Sequence, residues 1–149
     1  MAGLVSHHCS IGTCDSFWHA LHVTQQGNRR QQTFFGEEDY QHYLELRAQF
    51  CRAEQVATWA YCLMPNHVHL IVVPQSAESL RRAIGEAHRR YTRWINFQEG
   101  WRGHLWQGRF ASFVMDEDHL LIAARYVELN PVRRIGPGAK PLSLEQRGG

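Results

Sequence analysis

His67 and His69 stand one residue apart in Tyr61–Val72, YCLMPNHVHLIV, a run that is otherwise almost wholly apolar. In a β-strand, residues i and i+2 point to the same face, about 6.6 Å apart along the chain, so two imidazoles at this spacing can lean onto one cation. A neutral histidine buried without a partner is costly, so each ring needs a hydrogen bond or a metal. One histidine in a strand is usually a satisfied core residue; two on the same face of so apolar a strand are harder to explain by packing. Two ligands do not complete a site. Further along, ARYVELNP offers Tyr126 and Asn130, four residues apart and therefore on one helical face. The amide oxygen of Asn130 can act as a third ligand, which would set the Tyr126 phenol beside the cation. Taken alone, the same helix reads as a core aromatic and a C-terminal residue ahead of Pro131. Glu128 is a competing ligand, but its position turns it away from that face.

The charge distribution adds a second signal. Net charge is only +2, yet 15 of the 16 basic residues are arginine, Lys140 being the only lysine. Arg81, Arg82, Arg89, Arg90, Arg93, Arg102 and Arg109 crowd into residues 81–110 against Glu86 and Glu99. The guanidinium fork suits phosphate and stacks on bases. With Tyr91, Trp94, Trp101 and Trp106 interleaved, this segment reads as a nucleic-acid face, against the plainer reading of a solvated helix surface. No apolar run reaches the ~20 residues of a membrane span. The start, MAGLVSHHCS, lacks a basic n-region and a long apolar core, so no secretory signal is expected. Cys9, Cys14, Cys51 and Cys62 are then read as free thiols in a reducing cytosol.

These residues need elements to hold them. At 149 residues, 44% hydrophobic and 11% aromatic, the chain fits one domain with a real core. A first strand is expected at Phe17–Thr24, with a turn at Gln26-Gly27-Asn28. Gly36–Arg52 reads as a helix, with Glu37, Glu38 and Asp39 at its positive end. Val56–Met64 and His67–Val73 read as two strands joined through Pro65-Asn66. Ser79–Phe97 is an amphipathic helix with Leu80, Ile84, Ala87, Tyr91, Trp94 and Ile95 along its apolar stripe. Arg109–Met115 is a fourth strand, and a last helix starts at Glu117 and stops before Pro131. The order β-α-β-β-α-β-α predicts an α+β fold, a split β-α-β antiparallel sheet with helices packed on one face and His67–Val73 at its centre. The expected division is a flexible leader over 1–16, one functional domain over 17–135 and a tail over 136–149. In the leader, His7, His8, Cys9 and Cys14 match no standard zinc spacing.

HVTQQGNRRQQTFF (22–35), AYCLMPNHVHLIV (60–72), RRYTRWIN (89–96), GHLWQGRF (103–110) and RYVELNPVR (125–133) together cover most of residues 17–135. In this order and spacing they resemble the REP-associated tyrosine transposases, within the single-strand nucleases that carry a histidine–hydrophobe–histidine motif and the wider IS200-like group. The resemblance implies a ferredoxin-like sheet. It implies that His67, His69 and Asn130 hold Mg²⁺ or Mn²⁺, with Tyr126 as nucleophile. It also implies a cytoplasmic, DNA-associated transposase, monomeric or homodimeric, that cleaves and joins single-stranded DNA beside palindromic hairpins. Arg81, Arg82, Arg89, Arg90 and Arg93 would then follow the DNA backbone, with Trp106, Gln107 and Arg109 nearer the scissile phosphate. Tyr91 is a rival nucleophile, although its place in an apolar stripe argues for packing. The leader lacks the basic character common in such proteins, and Gln26 stands where arginine is common before Gly-Asn. Two other functions fit the same residues: a hairpin-binding protein without catalysis, and a metal-dependent phosphodiesterase that uses water.

Overall fold

The computed structural model describes residues 2–4, 20–116 and 118. Among the described residues, five strands and two α-helices follow one another: β1 (Ala2–Leu4), β2 (Leu21–Gln26), α1 (Glu37–Ala53), β3 (Ala57–Met64), β4 (His67–Val73), α2 (Ala77–Glu99) and β5 (Ala111–Val114), with a short 3-10 turn at Asn28–Arg30 after β2. The strands form one antiparallel sheet in the order β1-β3-β4-β2-β5, so β4 is its middle strand as the apolar run predicted. The class is α+β. The strand expected at Phe17–Thr24 lies later, at Leu21–Gln26, because β4 offers partners from Leu21↔Val72 through Gln26↔His67. β1 was not expected at all. It pairs with β3 through Ala2↔Cys62 and Leu4↔Ala60. The last expected helix and the tail fall outside the described residues, apart from Asp118 in a helical position.

Side-chain alternation assigns the two faces of the sheet. Val68, Leu70 and Val72 of β4, Val23 of β2 and Leu63 of β3 turn toward the helices. They pack against Tyr40, Tyr43 and Leu46 of α1 and Leu80, Ala83, Ile84, Ala87, Tyr91 and Ile95 of α2. Phe34, Leu105 and Trp106 close an aromatic cluster on this side, with Phe34 stacked on Tyr40 at 4.4 Å and edge-on to Tyr43 at 5.5 Å. The other face carries Ala60, Cys62, Met64 and Ile71, all buried. The intervening positions of β4 and β2 on that face are His67, His69, His22, Thr24 and Gln26.

α2 begins two residues earlier than its apolar stripe suggests. Ser76 is the N-cap, its hydroxyl accepting from Ser79 N at 3.0 Å, and Ser79 Oγ accepts from Ser76 N at 3.0 Å. This reciprocal box satisfies donors that the helix itself cannot. Gly100, in the left-handed region at φ 66°, ends it. α1 has no side-chain cap from Gly36; instead Asp39 Oδ2 accepts from Phe35 N at 2.9 Å and Asp39 Oδ1 from Trp94 Nε1 at 3.3 Å, tying α1 to α2.

Candidate active site

The β3–β4 turn sets where His67 starts. Pro65 O accepts from Thr33 N at 2.7 Å and Phe34 N at 3.1 Å, and Asn66 O accepts from Gly27 N at 2.8 Å. The turn is thus clamped by the segment that follows β2. Gly27 is required there by space rather than by dihedral angle. At φ −60° it is ordinary, but an added Cβ would meet Gln31 O at 2.2 Å and Thr33 Cγ2 at 2.9 Å. Gln107 N donates to Gln26 O at 2.8 Å, which brings the 105–110 loop to the same end of the sheet.

From this clamped end, β4 sends Val68 into the core and both histidines to the opposite face. The His67 and His69 rings lie 5.0 Å apart between centroids, nearly perpendicular at 87°. Each is half-buried beside a cleft of about 290 Å³ that Thr24, Gln25, Gln26 and Val68 also line. His67 Nδ1 is 2.7 Å from Asn66 Oδ1. His69 Nδ1 is 3.0 Å from Nε2 of a third imidazole, His22, whose ring stacks on His69 at 5.2 Å. Burial, and then the neighbouring His67 and His22 rings, push His69 down to about 4. Burial lowers His22 as well. His69 is therefore neutral at pH 7, the form that ligates metal. Two imidazoles on one face, with their Nδ1 atoms engaged, form a donor set that fits a divalent cation. Among the described residues, no three His, Cys, Asp or Glu side chains group to hold a metal. Tyr126 and Asn130 lie outside the described residues.

The remaining sequence candidates separate. Arg81, Arg82, Arg89, Arg90 and Arg93 lie on α2, in the layer across the sheet from the histidines, and all are exposed. Four of them pair with carboxylates: Arg81 with Glu78, Arg82 with Glu54, and Arg89 and Arg90 with Glu86. Gln107 and Arg109 are exposed on the loop. Trp106, expected near the scissile phosphate, is instead a core residue at 7% exposure, stacked on His88 at 4.9 Å. Tyr91 is fully buried, donates to Thr33 O at 2.7 Å, and has its phenol pushed far up by burial. It is a packing residue and not a nucleophile. Sequence reasoning missed His22, Thr24 and Asn66. The alternation of LHVTQQ would have given His22 and Thr24 a shared face, but only the β2–β4 register shows that it is the face of His69. A larger cavity of about 750 Å³ opens on the helix side between α2, β2 and β5, with Arg81 and Arg109 among its lining; the histidine pair is not part of it.

The family described as Transposase IS200 like matches residues 16–130 of the chain. A crystal structure assigned as a transposase from Deinococcus radiodurans R1 aligns with a TM-score of 0.58 at 19% identity, over 79% of this chain and 95% of that one. A REP-associated tyrosine transposase bound to a REP hairpin aligns with a TM-score of 0.55 at 20% identity, over 76% of this chain and 67% of that one. At these identities the likeness is one of fold. No curated protein matches the chain by sequence. Among the described residues, no helix is long and apolar enough to cross a membrane.

Proposed function

The chain belongs to the IS200-like transposase family, and on that premise we propose that it nicks and rejoins single-stranded DNA beside palindromic hairpins through a 5′-phosphotyrosine on Tyr126. The observation that carries the reading is the pair of half-buried imidazoles, His67 and His69, on one face of the central strand with their Nδ1 atoms engaged. Together with Asn130 they would hold Mg²⁺ or Mn²⁺. A cation bound there supplies Lewis-acid polarisation of the scissile phosphate.

The chain's own part is positioning and nucleophilic attack. Tyr126 Oη bonds to phosphorus as the P–O3′ bond breaks; the phenol gives up its proton and the departing O3′ takes one up. A phenol ionises near pH ~10, far below a sugar alcohol, so the phosphotyrosine stays reactive toward an incoming 3′-hydroxyl. Strand joining then needs no nucleotide triphosphate. Gln107 and Arg109, exposed on the loop that Gln107 N ties to Gln26 O, would be the DNA contacts at that end of the sheet. The α2 arginines are largely paired with Glu54, Glu78 and Glu86, so their contribution to DNA is a diffuse field and not direct phosphate grip. The solved neighbour bound to a REP hairpin supports a hairpin-containing substrate.

The test is a labelled single-stranded hairpin substrate incubated with the protein and Mn²⁺, then denatured. A covalent protein–DNA band is expected, and chelation or His67→Ala removes it. Salt-sensitive hairpin binding without any cleavage, indifferent to chelation, would instead establish a hairpin-binding protein derived from a transposase.

A further inference from the structure

Two polar residues to which the sequence analysis gave no part in the site, Asn66 and His22, sit behind the histidine pair. Asn66 presents Oδ1 to His67 Nδ1 at 2.7 Å, and its amide nitrogen donates to Arg30 O at 3.5 Å. The second contact fixes which end of the carboxamide faces the ring. An amide oxygen only accepts, so His67 Nδ1 must carry the proton and Nε2 the lone pair. The same logic applies, one step removed, to His69. Its Nδ1 lies 3.0 Å from His22 Nε2, and a single proton occupies that gap. If His69 coordinates through Nε2, its Nδ1 holds the proton and donates to His22 Nε2. His22 then holds its own proton on Nδ1.

We propose that Asn66 and His22 are positioning residues: Asn66 locks His67 in its Nδ1–H tautomer and His22 holds His69 Nδ1, so that both rings present Nε2 to the cation. The inference rests on the proposed metal site; the His67 tautomer, set by Asn66, does not depend on metal being bound, whereas coordination at His69 Nε2 is what places the proton between His69 and His22. The two supports come from different places: Asn66 from the turn that opens β4, His22 from the neighbouring strand, two residues before His69's direct partner Thr24 and so on the same face, since His22 pairs with Ile71 and Thr24 with His69. Both are anchored by backbone. Asn66 O accepts from Gly27 N at 2.8 Å, and His22 lies inside a six-residue strand paired on both sides. Outer partners of this kind typically change metal affinity ~10–100-fold when removed.

Two measurements on the full chain decide it. Nitrogen-15 NMR of the metal-free protein reads the tautomer of each ring; His67 is expected as Nδ1–H. Titration with Mn²⁺ alone reads affinity. Asn66→Ala should lose the His67 tautomer, and Asn66→Ala and His22→Leu should each weaken Mn²⁺ binding roughly 10–100-fold. Asn66→Asp and His22→Gln retain an acceptor and should keep both the tautomer and tight binding, which separates positioning from a general loss of folding. An Nε2–H tautomer for His67 in the wild type, or Mn²⁺ binding unchanged in Asn66→Ala and His22→Leu, overturns the proposal. If wild-type protein shows the Nδ1–H tautomer at His67 yet binds no Mn²⁺, the Asn66 assignment stands and the metal site under the proposed function fails.

Discussion

His88 makes the stability of this fold pH-dependent in a way that can be isolated. It lies on α2 at 6% exposure, between the Tyr43 hydroxyl, 2.8 Å from its Nε2, and the Trp106 ring. Burial pushes it from 6.5 down to about 3. The folded state therefore refuses a proton that the unfolded chain accepts below about pH 6.5, so stability is complete above that value and falls as pH drops toward 3. The slope approaches ~1.4 kcal/mol per pH unit. Between pH 7 and pH 5, the gap of about 1.5 units below 6.5 amounts to roughly 2 kcal/mol. His22 and His69 titrate in the same direction, so the informative quantity is a difference. Urea unfolding followed by tryptophan fluorescence at pH 7 and pH 5 should show wild type losing about 2 kcal/mol more than His88→Gln. Parallel losses in the two proteins would refute the reasoning, because they would mean that His88 is protonated in the fold or reaches water.

Gly27→Ala drives a Cβ to 2.2 Å from a backbone carbonyl at the clamp of the β3–β4 turn; a loss of about 3 kcal/mol is expected in the same unfolding assay, at the upper end of overpacking costs. Tyr91→Phe removes the hydrogen bond to Thr33 O, costing about 1–2 kcal/mol in thermal or urea unfolding, while covalent adduct formation on a hairpin substrate stays at the wild-type level. Loss of the adduct in that variant, with the fold intact, would restore Tyr91 as a candidate nucleophile.

What could be read from the sequence divides along local and non-local lines. The Pro65-Asn66 turn, the bounds of β4 and the body of both helices follow from spacing and turn chemistry within each segment. So does the reason for two histidines in an apolar strand: Val68 between them is the residue that enters the core, and the imidazoles face the other way. The non-local features were not legible. The fourth strand expected at Arg109–Met115 is present as β5, Ala111–Val114, but every residue of it is exposed, so its pairing with β2 carried no signal in the sequence. The His22–His69 contact depends on the β2–β4 register, and β1 on pairing with β3. Trp106 misled because an aromatic beside arginines has the same composition whether it stacks on a base or on His88. The start of α2 was misplaced because Ser79 is the third helical residue, closing a capping box whose first member, Ser76, carries no apolar periodicity.

The central claim is that Tyr126 becomes covalently joined to DNA. A hairpin substrate cleaved in Mn²⁺, trimmed with nuclease and digested with trypsin isolates the bond to one peptide. Residues 126–133, YVELNPVR, should carry the added nucleotide mass, and Tyr126→Phe should leave no adduct. Nucleotide mass on any other peptide, or efficient cleavage with no adduct in the wild-type chain, would contradict the account.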